Sequence, residues 1–142
     1  MSSAPKLCEP YIGRRAKRHL EKKRIVIFAG GLGETHFSTD TTAAQRACEL
    51  KCDAILKATN VDGVYDSDPN KHKDARRFSK ISFSKAKEKN LAILDSTAFG
   101  LCEINDIPIL VFNFKNADTL DSILNGHGQY TLVSNSPESI YS

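Results

Sequence analysis

The residues best suited to chemistry lie in the run Gly30-Gly-Leu-Gly-Glu-Thr-His-Phe-Ser-Thr-Asp40. Its glycines let the backbone turn tightly and approach a ligand closely, and Ser38, Thr39 and Thr41 add hydroxyl donors. Where such a run leaves a strand and enters a helix, the helix start presents unpaired N–H groups and the positive end of its dipole, which suits phosphate. Asp40 can cap that helix or organise a cation near a transferring phosphoryl group. The run matches neither G-x-G-x-x-G nor G-x-x-x-x-G-K-[ST]. Taken alone it leaves a structural turn and a phosphate site both open.

A second run, Lys57-Ala-Thr-Asn-Val-Asp-Gly-Val-Tyr-Asp-Ser-Asp-Pro69, follows a strand-like stretch. Ligands of open parallel sheets sit beyond the carboxyl ends of the strands, so the two runs are expected at the same sheet edge, sharing one nucleotide. Thr59 can donate to a base or phosphate, Tyr65 can pack on a base, and Asp68 can accept from a ribose or base edge. The plainer reading is an Asp-Gly turn followed by an Asp-Pro turn.

The elements that must position these runs are legible in the hydrophobic pattern. Glu9 to Lys23 reads as a helix with Tyr11, Ile12, Ala16 and Leu20 near one stripe. Arg24 to Phe28 is a continuous apolar run and predicts a buried strand with both sheet faces covered. A helix from Thr41 to about Lys51, capped by Asp40 or a neighbouring hydroxyl residue, leads to a second strand, Asp53 to Ala58, so the three make a right-handed βαβ unit. Val61 to Asn70 is a turn-rich loop. Ser82 or Ser84 caps a short helix to about Lys89, and Asp95 opens another toward Ile104. Ile107 to Phe112 is a buried strand. Asp118 caps a last helix that stops near Gly126, and Tyr130 to Val133 is a final strand. Residues 1–142 read as a single α/β domain, mainly a parallel sheet with helices on both faces, with 135–142 a frayed tail.

Composition narrows the function classes. A chain of 142 residues is long enough for one domain with a real core. The formal charge of +3 sits mainly in Arg14 to Arg24 and Lys71 to Lys80. Neither cluster interleaves with stacking aromatics, so both read as solvated surface and no nucleic-acid partner is expected. No apolar run is long enough to cross a bilayer and the first residues lack a secretory signal, which predicts no membrane partner and a cytoplasmic location. Cys8, Cys48, Cys52 and Cys102 make no CxxC pair. Cys48 and Cys52 lie four apart in a helix without a matching pair elsewhere, and His19, His36, His72 and His127 are scattered, so no metal-ligating set is expected.

Taken together, these segments resemble the amino acid kinase family and, within it, the bacterial uridylate kinases that phosphorylate UMP with ATP. The resemblance rests on Arg24-Ile-Val-Ile-Phe-Ala-Gly-Gly-Leu-Gly33, Phe37-Ser-Thr-Asp-Thr-Thr-Ala-Ala44, Lys57 to Pro69, Leu94-Asp-Ser-Thr-Ala-Phe99 and Pro108-Ile-Leu-Val-Phe-Asn113, in the family's order. It implies that Leu32, Gly33, Glu34, Thr35, His36, Phe37, Ser38 and Thr39 contact UMP. It further implies that Asp40 organises a catalytic lysine, that Asp95 is a second catalytic acidic residue, and that Thr59, Tyr65 and Asp68 contact ATP. Lys57 is a weaker candidate. Glu34, Thr35 and His36 depart from the family's usual pattern, and a carboxylate at Glu34 repels a UMP phosphate unless it points away or meets magnesium.

The family's N-terminal part carries a Gly-rich phosphate loop with the catalytic lysine and much of the UMP cradle, and no segment here reads as their counterpart. The resemblance therefore implies the C-terminal, ATP-binding part of a UMP kinase, which uses ATP and Mg2+ and is inactive by itself. A non-catalytic nucleotide-binding or regulatory paralogue is the rival. An aspartate or acetylglutamate kinase is a third reading, which Phe37 to Asp40 and Thr97 to Phe99 disfavour. The family's hexamers form mainly through its N-terminal part, which leaves homo-oligomer formation open.

Overall fold

A computed structural model describes residues 8–32, 37–115 and 119–142. Helix α1 spans Gly13–Glu21 and opens four residues later than the apolar stripe suggests. Ile12 is the N-cap, with extended backbone, so the start of the stripe lies outside the helix. Ala16 is the one buried residue of α1, and Arg18 and His19 occupy its last turn, where they suit the negative end of the dipole.

The first correction concerns Arg24 to Phe28. The segment forms no strand, and Ile25 and Ile27 are 94% and 87% exposed. Apolar side chains of this kind specify a strand only when a neighbour pairs the backbone and covers the faces. Among the described residues nothing does so, and the expected βαβ unit is therefore not formed.

Helix α2 (Thr39–Leu50) begins two residues earlier than expected because Ser38, the neighbouring hydroxyl, is its N-cap and accepts from the Thr41 N–H. It leads to strand β1 (Ile55–Thr59). The turn-rich loop follows, and within it Tyr65 makes an isolated antiparallel bridge with Arg77. Strand β2 (Phe78–Ser82) went unforeseen, since its polar Ser79 and Lys80 break the apolar run that marks a buried strand. Ser82 then caps α3 (Phe83–Glu88), and Asp95 caps α4 (Ser96–Ile104), as expected. The rest is β3 (Ile109–Asn113), α5 (Thr119–Leu124), β4 (Thr131–Ser134) and β5 (Ile140–Tyr141). The cap expected at Asp118 lies outside the described residues.

The α/β expectation holds, but the five-stranded sheet, in the order β1-β3-β4-β2-β5, is mixed rather than mainly parallel. β1 runs parallel to β3, with Ile55 opposite Ile109, and β2 runs parallel to β4. The β3–β4 and β2–β5 pairings are antiparallel. β5 also corrects the expectation of a frayed tail: Tyr141 stacks on the buried Phe78 with ring centroids 4.4 Å apart. An aromatic pair of this geometry adds about 1 kcal/mol beyond area burial and works with the β2 pairing to hold the two-residue strand.

The core gathers Phe78, Ile81, Phe83, Ile109 and Val133 with the inner faces of α2 and α4. Phe83 meets Phe99 edge to face at 5.0 Å. Ala44 of α2 and Ala98 of α4 are both fully buried. Small residues at both positions let the two helices pack closely, and that packing brings their N-termini together. No helix among the described residues is long and apolar enough to cross a membrane.

Candidate functional site

Where α2 and α4 begin, two helix caps merge into one network. Asp95 accepts from the Ala98 N–H at 2.9 Å, the ordinary service of an N-cap carboxylate. The same carboxylate accepts from the Ser38 hydroxyl, and from Thr41 Oγ1 at 3.1 and 3.2 Å to its two oxygens. Ser38 in turn accepts from the Thr41 N–H at 3.1 Å. Each helix start is thus held by a side chain from the other. Burial opposes ionisation of Asp95, but the donors from Ala98, Ser38, Thr41 and Thr97 outweigh it and hold the carboxyl below its usual range.

Asp40, in the first turn of α2, meets different partners. Its Oδ1 meets Lys57 Nζ at 2.5 Å, and its Oδ2 accepts from the Asp95 N–H at 3.4 Å. The ion pair ties β1 to the start of α2 and is partly open to solvent, with side-chain exposures of 31% for Lys57 and 23% for Asp40. An ammonium held this way at a helix N-terminus is suited to a phosphate oxygen.

The loop after β1 is ordered by its own bonds. Thr59 Oγ1 donates to the Val61 carbonyl at 2.7 Å and accepts from the Val61 N–H at 3.1 Å. Tyr65 donates to Asp62 at 2.7 Å, and that bond, helped by burial, raises its phenol pKa. Asp68 accepts from the Asn70 N–H at 2.9 Å, closing the Asp-Pro turn. A deeper anchor is Thr131, fully buried, whose hydroxyl accepts from the Val64 N–H at 2.8 Å and donates to the Phe78 carbonyl at 2.5 Å. Gly63 lies so close that a Cβ there would stand 2.4 Å from the Thr131 hydroxyl.

The structure therefore brings Ser38, Asp40 and Asp95 together and adds Thr41 and Lys57. Thr59, at the end of β1, lies two residues beyond Lys57. Tyr65 and Asp68 hold turn geometry, and among the described residues no hydrogen bond or ion pair joins them to the Asp40–Asp95 cluster. Leu32 is half-buried, Phe37 is exposed and Thr39 opens α2. Gly33, Glu34, Thr35 and His36 lie outside the described residues. In sequence Thr41 is only one more hydroxyl, and Lys57 carries little weight. Its signal was a lysine inside an apolar strand, a costly place for a charge without a partner.

Comparison with known proteins bears on these segments as a set. The sequence pattern of the amino acid kinase family matches residues 6–113. The chain belongs to the amino acid kinase family. It is 50% identical over 134 residues to the uridylate kinase of Zymomonas mobilis, a match that covers 94% of this chain and 55% of that protein. It is 51% identical over 129 residues to the uridylate kinase of Erythrobacter litoralis, covering 91% and 54%. Among solved structures, the UMP kinase of Bacillus anthracis superposes with a TM-score of 0.92 at 36% identity, over 99% of this chain and 58% of that one. The UMP kinase of Ureaplasma parvum gives 0.88 at 38% identity, over 94% and 57%. This amino acid kinase chain spans about half the length of the relatives it matches. The α/β fold expectation holds over the matched portion of that structure.

No group of three or more His, Cys, Asp or Glu suited to a metal ion gathers among the described residues. Asp95 is taken up by hydroxyl and N–H donors and Asp40 by Lys57, so this cluster is no ready-made magnesium cage. Cys102 is fully buried, and burial, with Cys48 nearby, pushes its thiol up to about 11. It is packing rather than a nucleophile.

Proposed function

We infer that this chain supplies the ATP-binding part of a uridylate kinase site, in which the γ-phosphoryl of ATP passes to UMP to give UDP. The observation that carries the reading is the Ser38–Asp40–Lys57–Asp95 cluster at the start of α2, in a family member about half identical to uridylate kinases. Asp40 orients Lys57, whose ammonium is placed to neutralise phosphate charge. Asp95 is no base: its carboxylate is saturated and held ionised, so it fixes the Ser38 and Thr41 hydroxyls while the α2 N–H groups face the phosphates.

Phosphoryl transfer of this kind needs positioning and charge neutralisation rather than a covalent intermediate. Magnesium fits here as a companion of ATP, held mainly by phosphate oxygens, which is the habit of an ion that keeps its waters and takes few protein ligands. The segment from Leu32 to Thr39 forms the UMP side, and Thr59, Tyr65 and Asp68 form the ATP side. The 142-residue chain by itself binds nucleotide without turnover. Titration calorimetry with MgATP and with UMP, beside a coupled assay for UDP, tests this. Binding of MgATP without steady UDP formation is expected. Absence of binding to either nucleotide sinks the reading. Turnover by this chain alone refutes the assignment of half a site.

A further inference from the structure

We propose that Tyr141 of β5 is a positioning residue for nucleotide binding: by holding the Arg76 guanidinium it fixes the turn that presents Tyr65 and Asp68 to ATP. The proposal rests on the reading of that loop as the ATP side of a uridylate kinase site.

Residues 76–78 run between the loop and β5. On one side the Asp66 N–H donates to the Arg76 carbonyl at 3.0 Å, and the Phe78 N–H donates to the Val64 carbonyl at 2.8 Å. On the other side the Arg77 carbonyl accepts from the Ser142 N–H at 2.9 Å and from the Ser142 hydroxyl at 3.1 Å. Backbone groups that alternate in this way belong to a central strand. The loop and β5 are therefore the two edges of one narrow strip, and what happens at one edge is felt at the other. The loop edge is short, a single bridge between Tyr65 and Arg77, and so few backbone bonds hold a strand weakly.

Side chains supply the rest of the restraint. The Arg76 guanidinium carbon lies 3.9 Å from the centroid of the Tyr141 ring, which itself stacks on Phe78. Arg76 then grips the loop twice: its N–H donates to Asp66 Oδ1 at 2.8 Å, and its Nε lies 3.7 Å from Asp66 Oδ2. Led by that N–H bond, these contacts hold the Asp66 carboxyl below its usual range. The Arg76 side chain is 65% exposed, so an ion pair alone fixes it poorly, and the ring face of Tyr141 provides the anchor. Arg77 makes a second arm, with Nε 3.8 Å from Asp62 Oδ2, and Asp62 accepts from the Tyr65 hydroxyl. Both proposed ATP contacts lie within two residues of Asp66, the residue that Arg76 holds. A loop already ordered binds more tightly than one that ligand must order.

The plainer role for Tyr141 is to cover Phe78, and the two roles separate by experiment. MgATP calorimetry and amide exchange are read side by side on the 142-residue chain. Tyr141→Leu keeps apolar cover on Phe78 but offers Arg76 no ring face, whereas Tyr141→Phe keeps both. Tyr141→Leu should weaken MgATP binding about three- to fivefold and speed exchange of the Asp66 and Arg76 amides by a similar factor, leaving the Ala98 amide of α4 unchanged. Tyr141→Phe should match the parent in both measurements. In an Arg76→Gln background Tyr141→Leu should add no further loss, because its effect passes through Arg76. Parent-like affinity in Tyr141→Leu, an equal loss in Tyr141→Phe, or full additivity with Arg76→Gln overturns the proposal. A parent chain that binds no MgATP sinks the functional reading and takes the nucleotide role of Tyr141 with it, whereas parent binding that Tyr141→Leu leaves intact sinks this proposal alone.

Discussion

Replacing Asp95 by alanine strips the acceptor from three donors at once: the Ala98 N–H, the Ser38 hydroxyl and the Thr41 hydroxyl. Loss of the α4 cap costs about 1 kcal/mol. Thr41 is 5% exposed, so its hydroxyl is left without its carboxylate acceptor in a place water scarcely reaches, at a cost of about 1–3 kcal/mol. The sum is about 2–4 kcal/mol. For 142 residues the unfolding entropy is about 0.3 kcal/mol per degree, so the melting midpoint should fall by about 7–13 °C. Asp95→Asn keeps an acceptor for Ala98 but turns an amide toward the hydroxyls, and should lie between. The pH profile supplies a second reading. The carboxyl is held below its ordinary 3.8 in the fold, so its contribution is present above that value and is lost as pH falls through the lower folded value. Thermal melts from pH 7 down to pH 2 should show a shallower acid limb in Asp95→Asn than in the parent. A midpoint for Asp95→Ala within about 2 °C of the parent at pH 7 would refute the shared-cap argument, because loss of the α4 cap alone already exceeds that.

Lys57→Met removes the ammonium beside Asp40 while keeping most of the stem. It should weaken MgATP binding by about tenfold, one charge-assisted contact, with little change in melting, as calorimetry and a thermal scan can check together. Thr131→Val leaves the Val64 N–H and Phe78 carbonyl without their shared partner, and should cost about 2–4 kcal/mol in urea unfolding, with Thr131→Ser restoring most of it. Cys102, buried and with its thiol at about 11, should resist iodoacetamide at pH 8 while the exposed Cys8 is labelled first. Labelling of Cys102 at the rate of Cys8 in the folded chain would show that the α2–α4 interface opens readily.

What was legible beforehand was local. Helix α4 and its Asp95 cap, the Ser82 cap of α3, and strands β1, β3 and β4 all follow from capping residues and apolar runs that act over a few positions. The failures share a cause of longer range. Phe78–Ser82 is polar enough to hide in sequence, and becomes a strand because β4 and β5 flank it. Ile140–Tyr141 is too short to declare itself, and is held by the ring of Phe78. Arg24 to Phe28 errs in the opposite direction: its pattern is that of a buried strand, yet no neighbour among the described residues completes it.

The same contrast governs the site. Glycines and hydroxyls between Gly30 and Asp40 were sufficient to suggest phosphate, because a helix start needs only local chemistry to attract an anion. They were not sufficient to assign roles. Asp40 and Asp95 read as two carboxylates of one kind, whereas the fold gives them different partners: Asp40 is paired with a cation and partly open to solvent, and Asp95 is consumed by N–H and hydroxyl donors. Only the first can change its partners when a phosphate arrives. A carboxylate saturated as Asp95 is can hold geometry but has no spare lone pair directed at a substrate. On the proposed reading, the division assigns the position beside the ligand to Lys57 rather than to Asp95, and Asp95 should reveal itself first in stability rather than in nucleotide affinity.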